Sequence, residues 1–123
     1  MKEEKNLTLT KGEMQVMNIL WAAGKACDVH EVVDKYEDPK PAYTTVATFL
    51  KILTTKQFVD YKKSEGRQYL FFPLLSKAEY TRRILQDVKD NFFQGSASSL
   101  LSFFMQEENL SEDEIQELIN MVK

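Results

Sequence analysis

The chain has 123 residues, of which 43% are hydrophobic and 28% are charged, and its formal net charge at pH 7 is -3. This composition excludes a disordered or fibrous chain, and the length fits either one domain or a small domain with an appendage, because domains commonly hold ~100 to 150 residues. No apolar run reaches the ~20 residues of a membrane span and the amino-terminal segment lacks the apolar core of a signal peptide, so we expect a cytoplasmic protein without membrane insertion.

The first predicted helix begins after Thr10 and ends near Ala23. Thr10 and Glu13 have the spacing of a capping box, in which each side chain accepts a hydrogen bond from the other residue's backbone N–H. Apolar residues recur along this stretch with helical spacing. Gly24 is the expected stop, because glycine readily adopts the left-handed conformation that ends many helices.

The second predicted helix begins after Asp28, whose capping-box partner is Glu31, and ends near Tyr36. The prolines of the following "EDPKPA" cannot continue a helix. Cys27, the only cysteine, excludes an internal disulfide, and we interpret it as a small buried apolar residue. His30, the only histidine, lacks the partners that a His-based metal site or catalytic triad needs, and we place it on the helix surface.

The stretch "YTTVATFLKIL" predicts a third helix with two different faces. At ~100° per residue, one face is apolar and is expected to meet the core. That face holds Val46, Phe49, Leu50 and Leu53. The opposite face holds short hydroxylic side chains and one ammonium group, from Thr44, Thr48, Lys51 and Thr55. Threonine is a poor helix former, so a face built from it indicates close approach to another molecule rather than solubility alone.

A β-hairpin follows the third helix. "QFVDYKK" and "RQYLFF" are rich in aromatic and β-branched residues and predict its two strands, which Pro73 ends. The intervening "SEG" predicts a turn in which Gly66 takes a positive φ. Lys62, Lys63 and Arg67 surround the tip, and such a cluster indicates contact with phosphates.

Three helices followed by a two-stranded wing indicate a winged helix-turn-helix, in which the third helix enters the major groove of DNA and the hairpin reaches the backbone. Residues 40–67 hold 6 basic and 2 acidic residues, a local basic strip on an acidic protein. We therefore predict contact with double-stranded DNA, as against a merely polar surface. The predicted DNA-binding residues are Tyr43, Thr44, Thr45, Thr48 and Lys51 on the recognition helix and Lys62, Lys63 and Arg67 on the wing.

The remaining sequence predicts three more helices, over about 76–93, 96–107 and 111–122, with N-caps at Ser76, Ser96 and Ser111. Their apolar side chains exceed what three short helices can bury against a winged helix, so we predict a two-fold homodimer that binds a palindromic site. The predicted dimerisation residues are Ile84, Leu85, Val88, Leu100, Leu101, Phe104, Ile115, Leu118 and Ile119. The fold class is thus mainly α with a small β-hairpin, divided into a DNA-binding domain, 1–75, and a helical dimerisation domain, 76–123.

No catalytic motif, glycine-rich phosphate loop or metal-ligand spacing occurs in the sequence. We predict that the protein is not an enzyme and uses no cofactor or metal. The competing interpretation is a winged helix that serves as a protein–protein interaction module without DNA binding, with the acidic tail as its working surface. An absence of DNA binding at low salt would favour that alternative.

Three segments resemble, in order and spacing, the penicillinase repressors of the BlaI/MecI family: "LTKGEMQVMNILWAAG", "YTTVATFLKIL…QFVDYKK" and "GSASSLLSFFMQEENLSEDEIQEL". The resemblance covers nearly the whole chain. It implies a homodimeric winged-helix repressor of transcription that occupies operators near β-lactamase or related antibiotic-resistance genes. By the same resemblance, Thr44, Thr45, Thr48 and Lys51 match the recognition-helix residues that face DNA in relatives.

The chain departs from the family pattern at several positions. Ala47 and Ile52 stand where relatives often carry arginine, and Gln57 stands where a glycine commonly closes the helix. The operator sequence is therefore not transferable from relatives, because a bidentate arginine–guanine pair contributes ~1 to 3 kcal/mol of discrimination. The family also implies inactivation through a membrane sensor-protease pathway. The Asn-Phe bond cleaved in characterised relatives aligns with Phe103–Phe104, where Phe103 replaces the asparagine.

Overall fold

The structure is a computed structural model that describes residues 8–123. The described chain contains helices and one antiparallel hairpin in the predicted order, which confirms the fold class: mainly α, with a winged helix-turn-helix at the start. The elements are α1 (Lys11–Ala23), α2 (Val29–Asp34), α3 (Tyr43–Thr55), β1 (Val59–Lys63), β2 (Tyr69–Pro73), α4 (Lys77–Phe93), α5 (Ala97–Glu108) and α6 (Glu112–Met121).

The chain divides into two compact units, one ending at Ile84 and one running from Leu85 to Lys123. The division falls inside α4. The first turns of α4 belong to the first unit because Tyr80 is buried in its core and Trp21 Nε1 donates a hydrogen bond of 2.9 Å to the carbonyl of Leu75. The boundary that the sequence predicts between a DNA-binding domain, 1–75, and a dimerisation domain, 76–123, stays a prediction.

The N-caps are those that the sequence predicts. Thr10 Oγ1 accepts a hydrogen bond from the Glu13 N–H at 3.2 Å, and Glu13 Oε1 accepts one from the Thr10 N–H at 3.0 Å. Reciprocal pairs of the same kind open α2, α4 and α6, and the single hydroxyl of Ser96 caps α5. These bonds satisfy amide groups that have no partner inside the helix, which is why a three-residue spacing marks helix starts so well.

Helix α2 is shorter than predicted, since it ends at Asp34 and not near Tyr36. The N–H groups of Lys35 and Tyr36 donate to carbonyls three residues earlier, at 3.1 Å each, so the last turn tightens instead of continuing. Lys40 then caps this end, because its ammonium group donates to the carbonyls of Asp34 and Tyr36 at 3.0 and 2.6 Å.

The core of the first unit is formed where α1, α2 and α3 pack together beneath the start of the hairpin. Its fully buried side chains are Val16, Met17, Leu20, Cys27, Val32, Val46, Leu50, Leu53, Phe58 and Val59. The predicted apolar face of α3 is confirmed, with Phe49 half-buried at its edge. The burial of Cys27 is also confirmed, and its backbone exchanges two hydrogen bonds with Phe71 in β2, at 2.9 and 2.7 Å. That short bridge covers part of the open edge of the hairpin.

Helix α3 ends in a motif that normally requires glycine. The Phe58 N–H donates to the Leu53 carbonyl at 3.0 Å and the Gln57 N–H donates to the Thr54 carbonyl at 3.1 Å, the two bonds of a Schellman motif. Gln57 occupies its left-handed position with φ 68°. The chain therefore forms this helix end without glycine, the residue that adopts the left-handed conformation most easily.

Helices α1 and α3 approach closely at Gly12. A Cβ atom at this position would lie 2.8 Å from Cε1 of Phe49 and closer still to Cζ, so the absence of a side chain allows the ring to cross α1. The position of the Phe49 ring thus depends on this one glycine.

We predict that Gly12→Ala lowers the free energy of unfolding by ~1 to 2 kcal/mol, because overpacking outweighs the better helix propensity of alanine. Urea denaturation followed by circular dichroism measures the change. Phe49→Leu is the matched second substitution, since it removes the ring atoms in the way. If Gly12→Ala lowers the free energy of unfolding equally in the wild-type protein and in the Phe49→Leu variant, the contact between Gly12 and the Phe49 ring does not cause the loss.

The second unit differs from the first in having no buried side chain on α5 or α6. Its internal contacts include the rings of Phe93 and Phe103, whose centroids lie 5.7 Å apart. Of the predicted dimerisation residues, Ile84 lies in the first unit and packs partly against its core. Exposed apolar side chains of the second unit include Leu85, Leu101, Phe103, Phe104, Leu118 and Ile119, each 41–55% exposed. Val88, Leu100 and Ile115 are intermediate in exposure.

Candidate nucleic-acid interface

The outward face of α3 consists of the residues that the sequence places there. Val46, Leu50 and Leu53 are fully buried and anchor the helix to the first unit. Every residue predicted to contact DNA from this helix is exposed: Tyr43, Thr44, Thr45, Thr48 and Lys51. Thr55 and Ile52 extend the same surface toward the end of the helix. A helix held by one side and bare on the other can enter a groove 12 Å wide, the approximate width of the major groove.

Three threonine hydroxyls of α3 donate hydrogen bonds to backbone carbonyls of the same helix. Thr48 Oγ1 donates to the carbonyl of Thr44 at 2.9 Å, and Thr55 Oγ1 donates to the carbonyl of Lys51 at 3.1 Å. Thr54 repeats the pattern toward Leu50 at 2.8 Å. Such bonds satisfy the hydroxyl proton within the helix but do not stabilise it. The helix is held by its buried apolar face, formed by Val46, Leu50 and Leu53.

Helix α2 supports the start of α3. His30 is on the surface, as predicted, and its ring lies 4.7 Å from the ring of Tyr43, centroid to centroid, at an interplanar angle of 47°. Tyr43 is 47% exposed, so one side of its ring packs on His30 while the rest is open. This contact joins the two helices of the helix-turn-helix at the end where a recognition helix meets base edges.

Two lysines of the basic strip, Lys40 and Lys56, are engaged in contacts within the protein. Lys56 Nζ lies 3.0 and 3.2 Å from the two carboxylate oxygens of Glu13, which is buried, and Lys40 caps the carbonyls of α2. Across residues 8–123, no salt bridge engages Lys51, Lys62 or Arg67. The positive charge available to a ligand therefore comes from α3 and the wing.

The wing presents two chemically different faces. In the β1–β2 register, Tyr61 pairs with Phe71, Lys63 with Tyr69 and Lys62 with Leu70. Because side chains alternate along a strand, Lys62 and Lys63 lie on opposite faces of the hairpin, although both are exposed. Only one of these two lysines at a time can lie on the face turned toward a single DNA surface.

The sequence interpretation missed two exposed tyrosines on the Lys63 face. Tyr61 and Tyr69 are 46% and 49% exposed, and their ring centroids lie 4.9 Å apart in an edge-to-face arrangement. The ammonium group of Lys63 lies 5.7 Å from the centroid of the Tyr69 ring. Strand alternation could have revealed this group, since positions 61 and 63 share a face. The result is a partly apolar surface beside the ammonium group of Lys63.

The turn of the wing differs from the prediction at its left-handed position. Gly66 does not take a positive φ; Arg67 does, at 69°. The reason is the loop length. The Ser64 N–H donates to the Gln68 carbonyl at 2.7 Å, so three residues form the loop, and a three-residue hairpin loop places its left-handed residue third. Arg67 therefore occupies a position that favours glycine.

We predict that Arg67→Gly yields a protein ~1 kcal/mol more stable than Arg67→Ala, because both lose the same cation but only glycine relieves the left-handed backbone. Both variants should weaken DNA binding, since each removes a wing charge. Thermal unfolding and fluorescence anisotropy with duplex DNA measure the two effects. Equal stability of the two variants would show that Arg67 carries no backbone strain.

The described residues offer little for catalysis or metal binding. Burial raises the pKa of the Cys27 thiol, which makes it a poor nucleophile. Within residues 8–123, no group of His, Cys, Asp and Glu side chains is arranged to hold a metal ion. None of the helices in that range combines the length and apolar character needed to cross a membrane.

Comparison with known proteins places this architecture among repressors. The family model described as "Penicillinase repressor" matches residues 9–123. The methicillin resistance regulatory protein MecI of Staphylococcus aureus strain N315 is 27% identical over 122 residues, which cover 98% of this chain and 97% of MecI. The penicillinase repressor of Bacillus licheniformis is 23% identical over 116 residues, or 94% of this chain and 89% of that protein.

A solved structure also resembles this one. It is that of Bordetella bronchiseptica BpsR, a protein whose DNA binding is regulated by 6-hydroxynicotinic acid. It aligns with a TM-score of 0.49 and 15% sequence identity, over 81% of this chain and 80% of BpsR.

Proposed function

The chain belongs to the penicillinase repressor family, a family of transcriptional repressors and not of enzymes, and on this premise we propose that it is a homodimer that represses transcription by binding palindromic operator DNA. It does so in the cytoplasm, with α3 in the major groove and the wing on the backbone. The names of its relatives, a methicillin resistance regulator and a penicillinase repressor, support antibiotic-response genes as the regulated class.

The observation that carries DNA binding is the bare outer face of α3. Its core side is fully buried while Thr44, Thr48 and Lys51 are exposed and shielded by no other element of the first unit. In a helix-turn-helix, that combination leaves one helix free to enter the groove. Lys51, Arg67 and the lysine on the DNA-facing side of the wing supply about three phosphate contacts per protomer, so a dimer has ~6.

The observation that supports the dimer is the exposed apolar surface of the second unit. Helices α5 and α6 bury none of their side chains, yet Leu101, Phe104 and Leu118 are apolar and 42–55% exposed. An apolar surface of this kind on a soluble regulator is stabilised by burial against a partner, and the partner always available is a second copy. Two copies related by a two-fold axis would present two recognition helices to the two halves of a palindrome.

Salt dependence tests the DNA contact. A duplex selected from a random pool is titrated with the protein at increasing salt, and binding is followed by fluorescence anisotropy. With ~6 phosphate contacts, the slope of log K against log salt should be about -5. Tight binding that does not change with salt would contradict the proposal, and an absence of binding even at low salt would favour the protein–protein interaction module.

Sedimentation velocity tests the dimer. Leu101→Asp should yield a monomer, because it places a carboxylate in the apolar interface, whereas Leu101→Met conserves the apolar volume and should remain dimeric. A wild-type monomer at micromolar concentration would remove the dimer from the proposal. The monomeric variant should also prefer single half-sites over palindromes.

The proposal includes induction by a membrane sensor-protease pathway acting at Phe103–Phe104. Both residues are half-exposed, but their peptide bond lies inside α5, and a helical bond must open locally before a protease can cut it. Incubation of the dimer with membranes from induced and uninduced cells, followed by mass spectrometry of the fragments, tests this step. Cleavage elsewhere, or none, would separate this chain from the family mechanism.

A further inference from the structure

The outer face of α3 lacks the side chains that most often read bases. The helix contains no Arg, Asn, Gln, Asp or Glu, and Lys51 is its one charged residue. Arginine or lysine on guanine, asparagine or glutamine on adenine and carboxylates on cytosine account for the usual hydrogen-bonded readout of the major groove. Apart from Lys51, α3 must therefore recognise bases by other means.

The hydroxyl of Thr48 is also restricted as a hydrogen-bond donor. A hydroxyl has one proton, and that of Thr48 is engaged by the carbonyl of Thr44 at 2.9 Å. What Thr48 retains for a ligand is its methyl group and the lone pairs of its oxygen. Because this bond also holds the rotamer, the methyl group has a defined position on the helix surface.

Methyl groups form a continuous part of this surface. At ~100° per residue, Thr44, Thr45, Thr48 and Ile52 lie within an arc of about 100°, and all four are exposed. The amino-terminal residues of a recognition helix contact base edges, so the threonines come nearest to the bases. In the major groove, the apolar group offered by a base is the 5-methyl group of thymine, with which threonine methyls make favourable contact.

We infer that this helix selects its operator by contacts between the methyl groups of Thr44, Thr45 and Thr48 and the 5-methyl groups of thymine. The inference rests on the proposed function and narrows it: the half-site contains A·T pairs at the positions under the first turns of α3. Selectivity then depends on shape and apolar contact, with Lys51 and the wing supplying affinity that is independent of sequence.

Replacement of thymine by deoxyuridine tests this readout, because it removes only the methyl group and leaves base pairing intact. Duplexes are first selected from a random pool with the full-length protein, and each thymine of the selected half-site is then replaced in turn. We expect about a fourfold loss of affinity at one or two positions per half-site, which corresponds to ~0.8 kcal/mol for one methyl-sized group. Replacement in both half-sites should cost about 15-fold, the square of the single effect.

Two substitutions of Thr48 separate its methyl group from its oxygen. Thr48→Ser keeps the hydroxyl and its bond to the Thr44 carbonyl but removes the methyl group, so one thymine should lose its sensitivity to deoxyuridine. Thr48→Val keeps a methyl group of the same shape and removes the oxygen, so the sensitivity should remain. Thr55→Ser is the matched control, since Thr55 makes the same hydroxyl bond to Lys51 but lies in the last turn of α3.

The outcomes distinguish this inference from the proposed function. If the wild-type protein binds selected DNA tightly and no deoxyuridine replacement weakens it, methyl readout is wrong while DNA binding stands. If Thr48→Val loses discrimination and Thr48→Ser keeps it, the oxygen reads an adenine or cytosine amino group instead, and the inference is overturned. If the wild-type protein selects no DNA at low salt, the proposed function itself falls.

Discussion

Replacing Thr48 by glutamate lowers the affinity of the protein for operator DNA by at least 100-fold and leaves its thermal stability unchanged. Thr48 is exposed in the middle of the bare face of α3. If α3 enters the major groove as we propose, a carboxylate at this position would face the bases and the phosphates. Like charges brought together at an interface cost several kcal/mol, and ~3 kcal/mol already corresponds to more than 100-fold. Glutamate is a better helix former than threonine, and the hydroxyl bond that is lost is exposed, so the fold is not at risk.

Fluorescence anisotropy with a selected duplex measures the affinity, and thermal unfolding by circular dichroism measures the stability. Thr81→Glu is the matched control, because Thr81 is an exposed residue of α4 that belongs to neither the recognition helix nor the wing. It brings the same change in charge and should cost far less than 100-fold. Retained binding by Thr48→Glu would place the recognition surface elsewhere on the protein.

Replacing Glu13 by glutamine lowers the free energy of unfolding by ~2 to 3 kcal/mol at pH 7, because it removes a charged hydrogen-bond acceptor from a buried site. The side chain of Glu13 is 5% exposed. Its Oε1 accepts a hydrogen bond from the Thr10 N–H, and both of its carboxylate oxygens accept from Lys56 Nζ. Glutamine can still accept from Thr10, but its amide NH₂ would meet the ammonium group as a second donor.

The same substitution should make the free energy of unfolding less dependent on pH in acid solution. Burial by itself raises the pKa of Glu13, but the hydrogen bonds from Thr10 and Lys56 outweigh it, so the pKa lies below its ordinary value of 4.5. A carboxyl whose pKa is lowered by folding stabilises the protein above its unfolded pKa and loses that contribution as the pH falls through its folded pKa. The wild-type protein should therefore lose stability below about pH 4.5 more steeply than Glu13→Gln.

Glu31 provides the matched control for burial. It is also the third residue of a capping box and also pairs with a lysine, Lys25, but its side chain is 37% exposed. Glu31→Gln should cost no more than about 1 kcal/mol, as is usual for exposed pairs. An equally small effect of both substitutions, measured by urea denaturation, would mean that the Glu13–Lys56 pair does not anchor the structure.

The pair also has a consequence for DNA binding. Lys56 is the C-cap residue of α3 and Glu13 lies in the first turn of α1, so their contact joins the end of the recognition helix to the body of the first unit. Loosening it should tilt α3 and weaken operator binding even though neither residue faces the groove.

Local signals in the sequence located most of the secondary structure. The starts of α1, α2, α4, α5 and α6 follow from a hydroxyl or carboxylate cap. Helix α3 begins after Ala42 without a side-chain cap, but its apolar face follows from its period. These features depend on residues three or four positions apart, so the chain does not have to be folded for them to be recognised. The end of α2 was harder to predict from the sequence, because a lysine six residues beyond Asp34 caps it.

The sequence by itself thus determined the order of the elements, the buried side of the recognition helix and the family. Only the tertiary structure decided which charges are free, because Glu13 neutralises Lys56 across 43 residues. It also moved the left-handed turn residue from Gly66 to Arg67 and brought Tyr61 beside Tyr69. The physical reason is that helix caps and amphipathic periods are interactions between near neighbours in the chain, whereas ion pairs and exposed faces depend on which distant segments pack together.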